Sequence, residues 1–155
     1  MFKILIASDR IESRNRLKQV CKDHDLNVCG EAENLEQALI FSELHLPDIV
    51  IFNFRCAIRS QTLVISQVAQ LGKSVKILIY SPQEPTRSTH AYVRAGASGF
   101  LVEHSDTEEL VSVLRGMIAG FTMVPIKALK QPRVKLAHRP ASTYAEVKSV
   151  ETSSS

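Results

Sequence analysis

The sequence predicts an α/β fold, a doubly wound five-stranded parallel sheet flanked by five helices, followed by an irregular C-terminal tail. Three observations carry that expectation. Short apolar, β-branched runs recur along the chain and are apolar throughout, as strands covered on both faces are. Between them lie stretches with helical spacing of apolar residues, several bounded by capping or stop signals. Strand and helix alternate without interruption, and parallel neighbours need crossover connections that place helices on both faces of the sheet.

Lys3-Ile4-Leu5-Ile6-Ala7 is the first run and breaks at the polar pair Ser8-Asp9. From Ile11 to about His24, Ile11, Leu17, Val20 and Cys21 recur at helical spacing among Arg14, Arg16, Lys18 and Lys22, which predicts one buried stripe and one charged face. Asn27 to Ala32 is the second strand. Asn34 is placed to cap the next helix, with Gln37 able to reach back to the Asn34 N–H, and Leu35, Ala38, Leu39 and Leu44 supply its apolar face before Pro47 closes it. Ile49-Val50-Ile51-Phe52 is the clearest strand and ends at Asn53. Thr62 to Leu71 reads as a helix through Leu63, Val64, Val68 and Leu71, and Gly72 is placed to end it. Lys76 to Tyr80 is the fourth strand, breaking at Ser81-Pro82. A helix from Thr86 to Ala95 leads through Gly96-Ala97-Ser98-Gly99 to the strand Phe100 to Val102. Ser105 and Glu108 then form a capping box for a helix from Thr107 to Ala119.

At 155 residues and 45% apolar content the chain is sized for one domain, spanning 1–125, with a tail over 126–155. The net charge of +3 hides an asymmetry: Met1 to Pro125 carries 13 Lys/Arg against 14 Asp/Glu, the tail 6 against 2. A basic, Ser/Thr-bearing tail of this composition is expected to be disordered and able to meet nucleic acid or an acidic partner. There is no signal segment and no apolar run long enough to span a bilayer, so a cytoplasmic protein is expected. Cys21, Cys29 and Cys56 lack zinc or CxxC spacing and read as reduced, mostly packed thiols. The scattered histidines support no zinc hydrolase, and there is no glycine-rich phosphate loop.

In a doubly wound sheet the site lies beyond the carboxyl ends of the strands, which gathers Ser8, Asp9, Asn53, Ser81 and Glu103. Asp9 and Glu103, with the Asn53 carbonyl, offer at most a loose divalent site. The favoured reading is that Arg10 or Arg55 pairs with Glu103 while Ser8 and Asn53 hydrogen-bond to each other.

Several stretches, taken in order, resemble the CheY-like receiver domain of bacterial response regulators. They are Pro47-Asp48-Ile49-Val50-Ile51-Phe52-Asn53, which resembles the stretch ending in the phosphoacceptor aspartate, and Gly96-Ala97-Ser98-Gly99-Phe100-Leu101-Val102-Glu103, which resembles the stretch ending in the lysine. Gly30-Glu31-Ala32 and Gly120-Phe121-Thr122-Met123-Val124-Pro125 resemble the LuxR/NarL-type branch. The resemblance implies the flavodoxin-like receiver fold and phosphoryl transfer to an aspartate with Mg²⁺. This chain departs from it at decisive positions. Ser8 replaces one member of the acidic pair, leaving Asp9. Asn53 stands at the acceptor, where a neutral amide is a poor nucleophile and supplies no anionic oxygen to Mg²⁺. Glu103 stands where the lysine would hold phosphoryl oxygens and would repel them. Ser81 keeps the hydroxyl position, and Phe100 sits at the aromatic switch position.

The expectation is therefore a pseudo-receiver: no enzyme, no cofactor, Mg²⁺ weak or absent, acting through contacts with a regulatory protein such as a kinase or transcription factor, with homodimerisation left open. The outer surface of the fourth helix, fifth strand and fifth helix is the expected interface, with Tyr92, Arg94 and Arg115 as anchors. Two other classes stand beside this one: a transcriptional regulator that reaches DNA through the basic tail or a separate output domain, and a ligand sensor using the altered pocket. No helix-turn-helix pattern follows Pro125.

Overall fold

The protein is described from a computed structural model that covers residues 2–72, 75–125 and, for its backbone, 144–148. In chain order the elements are β1 (Lys3–Ser8), α1 (Ile11–Asp23), β2 (Asn27–Ala32), α2 (Leu35–His45), β3 (Ile49–Asn53), α3 (Ile58–Ala69) and β4 (Lys76–Ser81). There follow α4 (Thr89–Ala95), β5 (Gly99–Val102), α5 (Thr107–Ile118), β6 (Phe121–Pro125) and β7 (Tyr144–Lys148). The sheet order is β2-β1-β3-β4-β5-β6-β7, with β1 to β5 all parallel.

The five predicted strands and five helices are all present, and the doubly wound order follows from their crossovers. Alternate residues of β1, β3 and β4 enter opposite layers. Ile4, Ile6, Ile49, Ile51, Leu78 and Tyr80 meet Leu17, Val20, Leu110, Leu114 and Met117 of α1 and α5. Leu5, Ala7, Val50, Phe52, Ile77 and Ile79 meet Ala38, Ile65 and Val68 of α2 and α3. Both faces are dry, which is why these strands read as unbroken apolar runs.

Helix boundaries moved where side chains compete for the backbone. Asn34 caps α2 as expected, its Oδ1 accepting from the Gln37 N–H at 2.8 Å, but Gln37 Oε1 accepts from the Glu33 N–H rather than that of Asn34. At α5 the cap is Asp106, accepting from the Glu109 N–H at 2.9 Å, and not Ser105. Helix α4 starts at Thr89 and not Thr86, because Thr86 N donates to Thr89 Oγ1 and Ser88 N to Thr86 Oγ1 in a tight turn. Helix α3 starts early, at Ile58. Gly96 ends α4 at φ 124°, and a Cβ there would lie 2.7 Å from the Ala69 Cβ, so conformation and close helix approach both require glycine.

Three positions assigned to apolar helix faces are exposed instead: Ile11, Leu44 and Leu63. Among the cysteines Cys21 is buried, Cys29 half-buried and Cys56 exposed, so the thiols are not uniformly packed. Burial pushes the Cys21 thiol up to about 11.

The sheet also continues past β5. β6 runs parallel to it through Gly99 and Met123, and β7 pairs antiparallel with β6. Met123 and Val124 enter the two opposite core layers, and Gly116 makes room for the Met123 side chain, since a Cβ there would sit 2.8 Å from its sulfur. The segment expected to be irregular thus contributes one strand, and the rest of 126–155 lies outside the described residues. β5 is consequently an interior, fully buried strand and presents no outer surface. Among the described residues no helix is long and apolar enough to cross a membrane.

Candidate functional site

The carboxyl ends of β1, β3, β4 and β5 bring Ser8, Asp9, Asn53, Ser81 and Glu103 to one edge, because these strands lie side by side in register. Asn53 is completely buried. Its Nδ2 donates to the Tyr80 carbonyl at 2.8 Å and to Glu103 Oε2 at 2.7 Å, while its Oδ1 accepts from Ser8 Oγ at 2.7 Å. The orientation of the amide follows from chemistry, because a carbonyl and a carboxylate both only accept and so must face its amino group.

Glu103 is in turn held by Arg55, whose Nη2 reaches both carboxylate oxygens at 2.9 Å. The same arginine places Nη1 3.8 Å from Asp9 Oδ1, and its backbone N–H donates to Asp9 Oδ2 at 3.2 Å. One guanidinium therefore sits between the two carboxylates of the site and neutralises both. Arg10 leans instead toward Glu12 at 3.9 Å. This donor set is a poor fit for a divalent cation: both anionic groups face the guanidinium, and the central position offers a neutral amide oxygen that already accepts from Ser8. Among the described residues no group of three or more His, Cys, Asp or Glu is placed to hold a metal ion.

Beneath this layer lie residues that sequence reasoning did not assign to the site. Tyr80 Oη donates to the Glu103 carbonyl at 3.2 Å and accepts from Arg16 Nη1 at 2.9 Å. Burial raises the Tyr80 pKa; Arg16 lowers it and Glu103 raises it. Arg14, a buried residue of α1, donates to the Ser8 carbonyl at 2.8 Å and pairs with Glu31 at 3.3 Å, which fixes the end of β1. The available signal was that Tyr80 ends an apolar run, since a buried phenol needs a hydrogen-bond partner at its tip. Arg16, Tyr80, Glu103 and His104, with Glu12, Ser13 and Pro82, line a shallow cleft of about 250 Å³ on the α1 side.

Ser81 behaves differently. Its Oγ donates to the Gln83 carbonyl at 2.7 Å and accepts from the Gln83 N–H at 3.0 Å, so the hydroxyl is closed into its own turn. Phe100 is buried beside it, at the wall of a cavity of about 60 Å³ shared with Ile58, Thr89 and Tyr92. Tyr92 is half-buried and donates to Gln61 Oε1 at 3.2 Å, and Gln61 in turn holds the Phe54 and Cys56 carbonyls. Arg94 is exposed on α4. Arg115 is exposed on α5 and donates to the His24 carbonyl at the end of α1, and α5 packs on the opposite layer of the sheet from Tyr92.

Comparison with known proteins agrees with this geometry. The family described as response regulator receiver domain matches residues 4–115. The virulence-factor transcription regulator BvgA of Bordetella pertussis is 24% identical over 132 residues, covering 85% of this chain and 63% of that protein. The chemotaxis protein CheY of Listeria monocytogenes is 27% identical over 115 residues, covering 74% of this chain and 96% of that one. Among solved structures, the signal receiver domain of the response regulator NarL from Mycobacterium tuberculosis superimposes with a TM-score of 0.70 at 22% identity, over 77% of this chain and 97% of that one. Residues 4–115 hold the whole strand edge just described, and on that match the chain belongs to the response regulator receiver domain family.

Proposed function

We propose that this chain is a phosphorylation-independent receiver that regulates by protein–protein contact and catalyses no reaction. The observation that carries the reading is the closed chain Ser8–Asn53–Glu103–Arg55–Asp9, in which the acceptor position is an amide and the neighbouring charges are spent on one another. An incoming phosphoryl group would meet Glu103, a like charge, and an atom that forms no acyl phosphate. With no phosphate to draw Ser81 out of its turn, the fold presents a constant surface, and only a partner that binds two conformations unequally would shift it. Arg94 and Tyr92 on α4 are the proposed contact residues of that layer, with Arg115 on α5 in the opposite one.

A second reading, transcriptional control, is favoured by one observation. BvgA and a transcriptional regulator of Pseudomonas aeruginosa both match, and the chain spans 63% of the length of each. An output segment of the kind such proteins carry would take its control from partner contacts and not from phosphate.

Acetyl phosphate with Mg²⁺ tests the reading. Intact mass is expected to stay unchanged, and amide spectra with and without the reagent should superimpose. A hydroxylamine-sensitive phosphoryl adduct on any carboxylate, Asp9 included, would contradict it.

A further inference from the structure

The outer face of α2 and α3 carries an apolar patch that the fold leaves open. Helix α2 carries apolar residues beyond its core side: Ala38 faces the core, Leu35, Leu39 and Phe41 are half-buried at its flanks, and Ile40 and Leu44 are 47% and 69% exposed. Leu63, 66% exposed, lies on α3, which packs alongside α2. Leu46, which ends α2 in the left-handed conformation, is 51% exposed at the lower end of the same face. Of the six large exposed apolar side chains of the described residues, three therefore fall on these two helices and a fourth, Leu46, on the cap of α2, and clustering of that kind marks an interaction surface more than scatter does.

The charges on this face choose the occupant. Glu36 and Glu43 are exposed and lie four residues before and three after Ile40, on the same outward stripe. Neither forms an ion pair among the described residues, and the one Lys or Arg within α3 is Arg59, in its first turn. A second copy packed helix on helix would set this acidic stripe against itself. An apolar i, i+4 stripe flanked by carboxylates is instead complementary to a helix with an apolar stripe flanked by bases.

We propose that the α2–α3 face docks an amphipathic helix of a partner protein whose apolar stripe is flanked by Lys or Arg, with Ile40, Leu44 and Leu63 as the apolar anchors and Glu36 and Glu43 as the charge readers. The inference rests on reading the chain as a protein-contact module but uses a surface remote from the strand-edge pocket, so the two can fail separately.

The test uses two synthetic helical peptides of about five turns, identical in their leucine stripe and flanked by Lys in one and by Glu in the other. The full chain is expected to bind the Lys-flanked peptide with amide shifts confined to α2 and α3, and to bind the Glu-flanked one at least about tenfold more weakly. Ile40→Gln combined with Leu44→Gln should lower affinity for the Lys-flanked peptide by about tenfold or more, and Leu63→Gln and Glu43→Lys should each lower it by less. All four positions are solvent-facing, and unchanged circular dichroism verifies that each variant is folded. Equal affinity in a folded Ile40/Leu44 variant, or shifts located elsewhere, would overturn the proposal. Self-association of the wild type that the same double substitution abolishes would overturn it too, by making a second copy the occupant. Acetyl phosphate added to the same samples separates the two claims: an adduct would sink the phosphorylation-independent reading and leave the docking result standing.

Discussion

The two halves of the strand edge satisfy their polar groups in opposite ways. At the ends of β1, β3 and β5, Ser8, Asn53, Glu103, Arg55 and Asp9 are partners of one another across loops 45 to 50 residues apart in sequence. At the end of β4, the Ser81 hydroxyl bonds only to Gln83, two residues away, while its carbonyl belongs to the backbone pairing with Glu103. The first half is a cross-strand clamp and the second a local turn. The difference teaches where the fold depends on this pocket: altering the acceptor half disconnects loops from each other, whereas altering the switch half disturbs one turn.

That contrast can be broken by substitution, and the largest effect is expected at Asn53. Asn53→Ala would take a buried donor from the Tyr80 carbonyl and from Glu103 and leave the Ser8 hydroxyl only its local contacts with the Arg10 backbone, costing about 3 kcal/mol of unfolding free energy in urea titrations. Arg55→Ala is next, at about 1–2 kcal/mol, because it leaves Glu103 and Asp9 facing each other unneutralised in a partly exposed setting. Ser81→Ala should cost less than about 1 kcal/mol and leave the amide resonances of Asn53 and Arg55 in place, since its bonds are confined to its own turn. If Ser81→Ala proved as costly as Asn53→Ala, the division between clamp and turn would be wrong.

The smallest expected difference lies in the alkaline limb. Tyr80 has its pKa raised in the folded state, so the stability linked to its protonation is complete below the unfolded value near 10 and is lost as pH rises through the folded one. Stability of the wild type should therefore fall more steeply above about pH 10 than that of Tyr80→Phe, measured by urea midpoints at matched ionic strength. Parallel curves would remove Tyr80 from the network that underlies Glu103.

Much of the fold was legible because burial on both faces leaves an unmistakable trace. Ile49 to Phe52 and Ile77 to Tyr80 are apolar without alternation, as a strand covered on both faces is. What escaped reading was what depends on contacts distant in sequence. β6 meets β5 at one registered pair only and is seated there by Met123 beside Gly116, a fit that periodicity does not register. Leu44 and Leu63 carry helical spacing but face solvent, because apolar residues spread over more than one side of a helix do not say which side meets the sheet. In the site, the strand ends placed Ser8, Asp9, Asn53, Ser81 and Glu103 correctly at one edge. Arg55 stood out as one of two arginines able to reach Glu103, and geometry chose between them. The roles of Arg14, Arg16 and Tyr80 rest on hydrogen bonds from a helix to strand termini, which no local pattern announces.

The central claim, that charge inversion closes the pocket independently of the missing nucleophile, is tested most directly by restoring the nucleophile alone. Asn53→Asp, treated with acetyl phosphate and Mg²⁺ and followed by intact mass and hydroxylamine sensitivity, is expected to gain no phosphoryl group, because Glu103 still stands beside the incoming dianion. Asn53→Asp combined with Glu103→Lys is expected to gain one. Ready modification of the single variant would contradict the account and show that Glu103 does not guard the site.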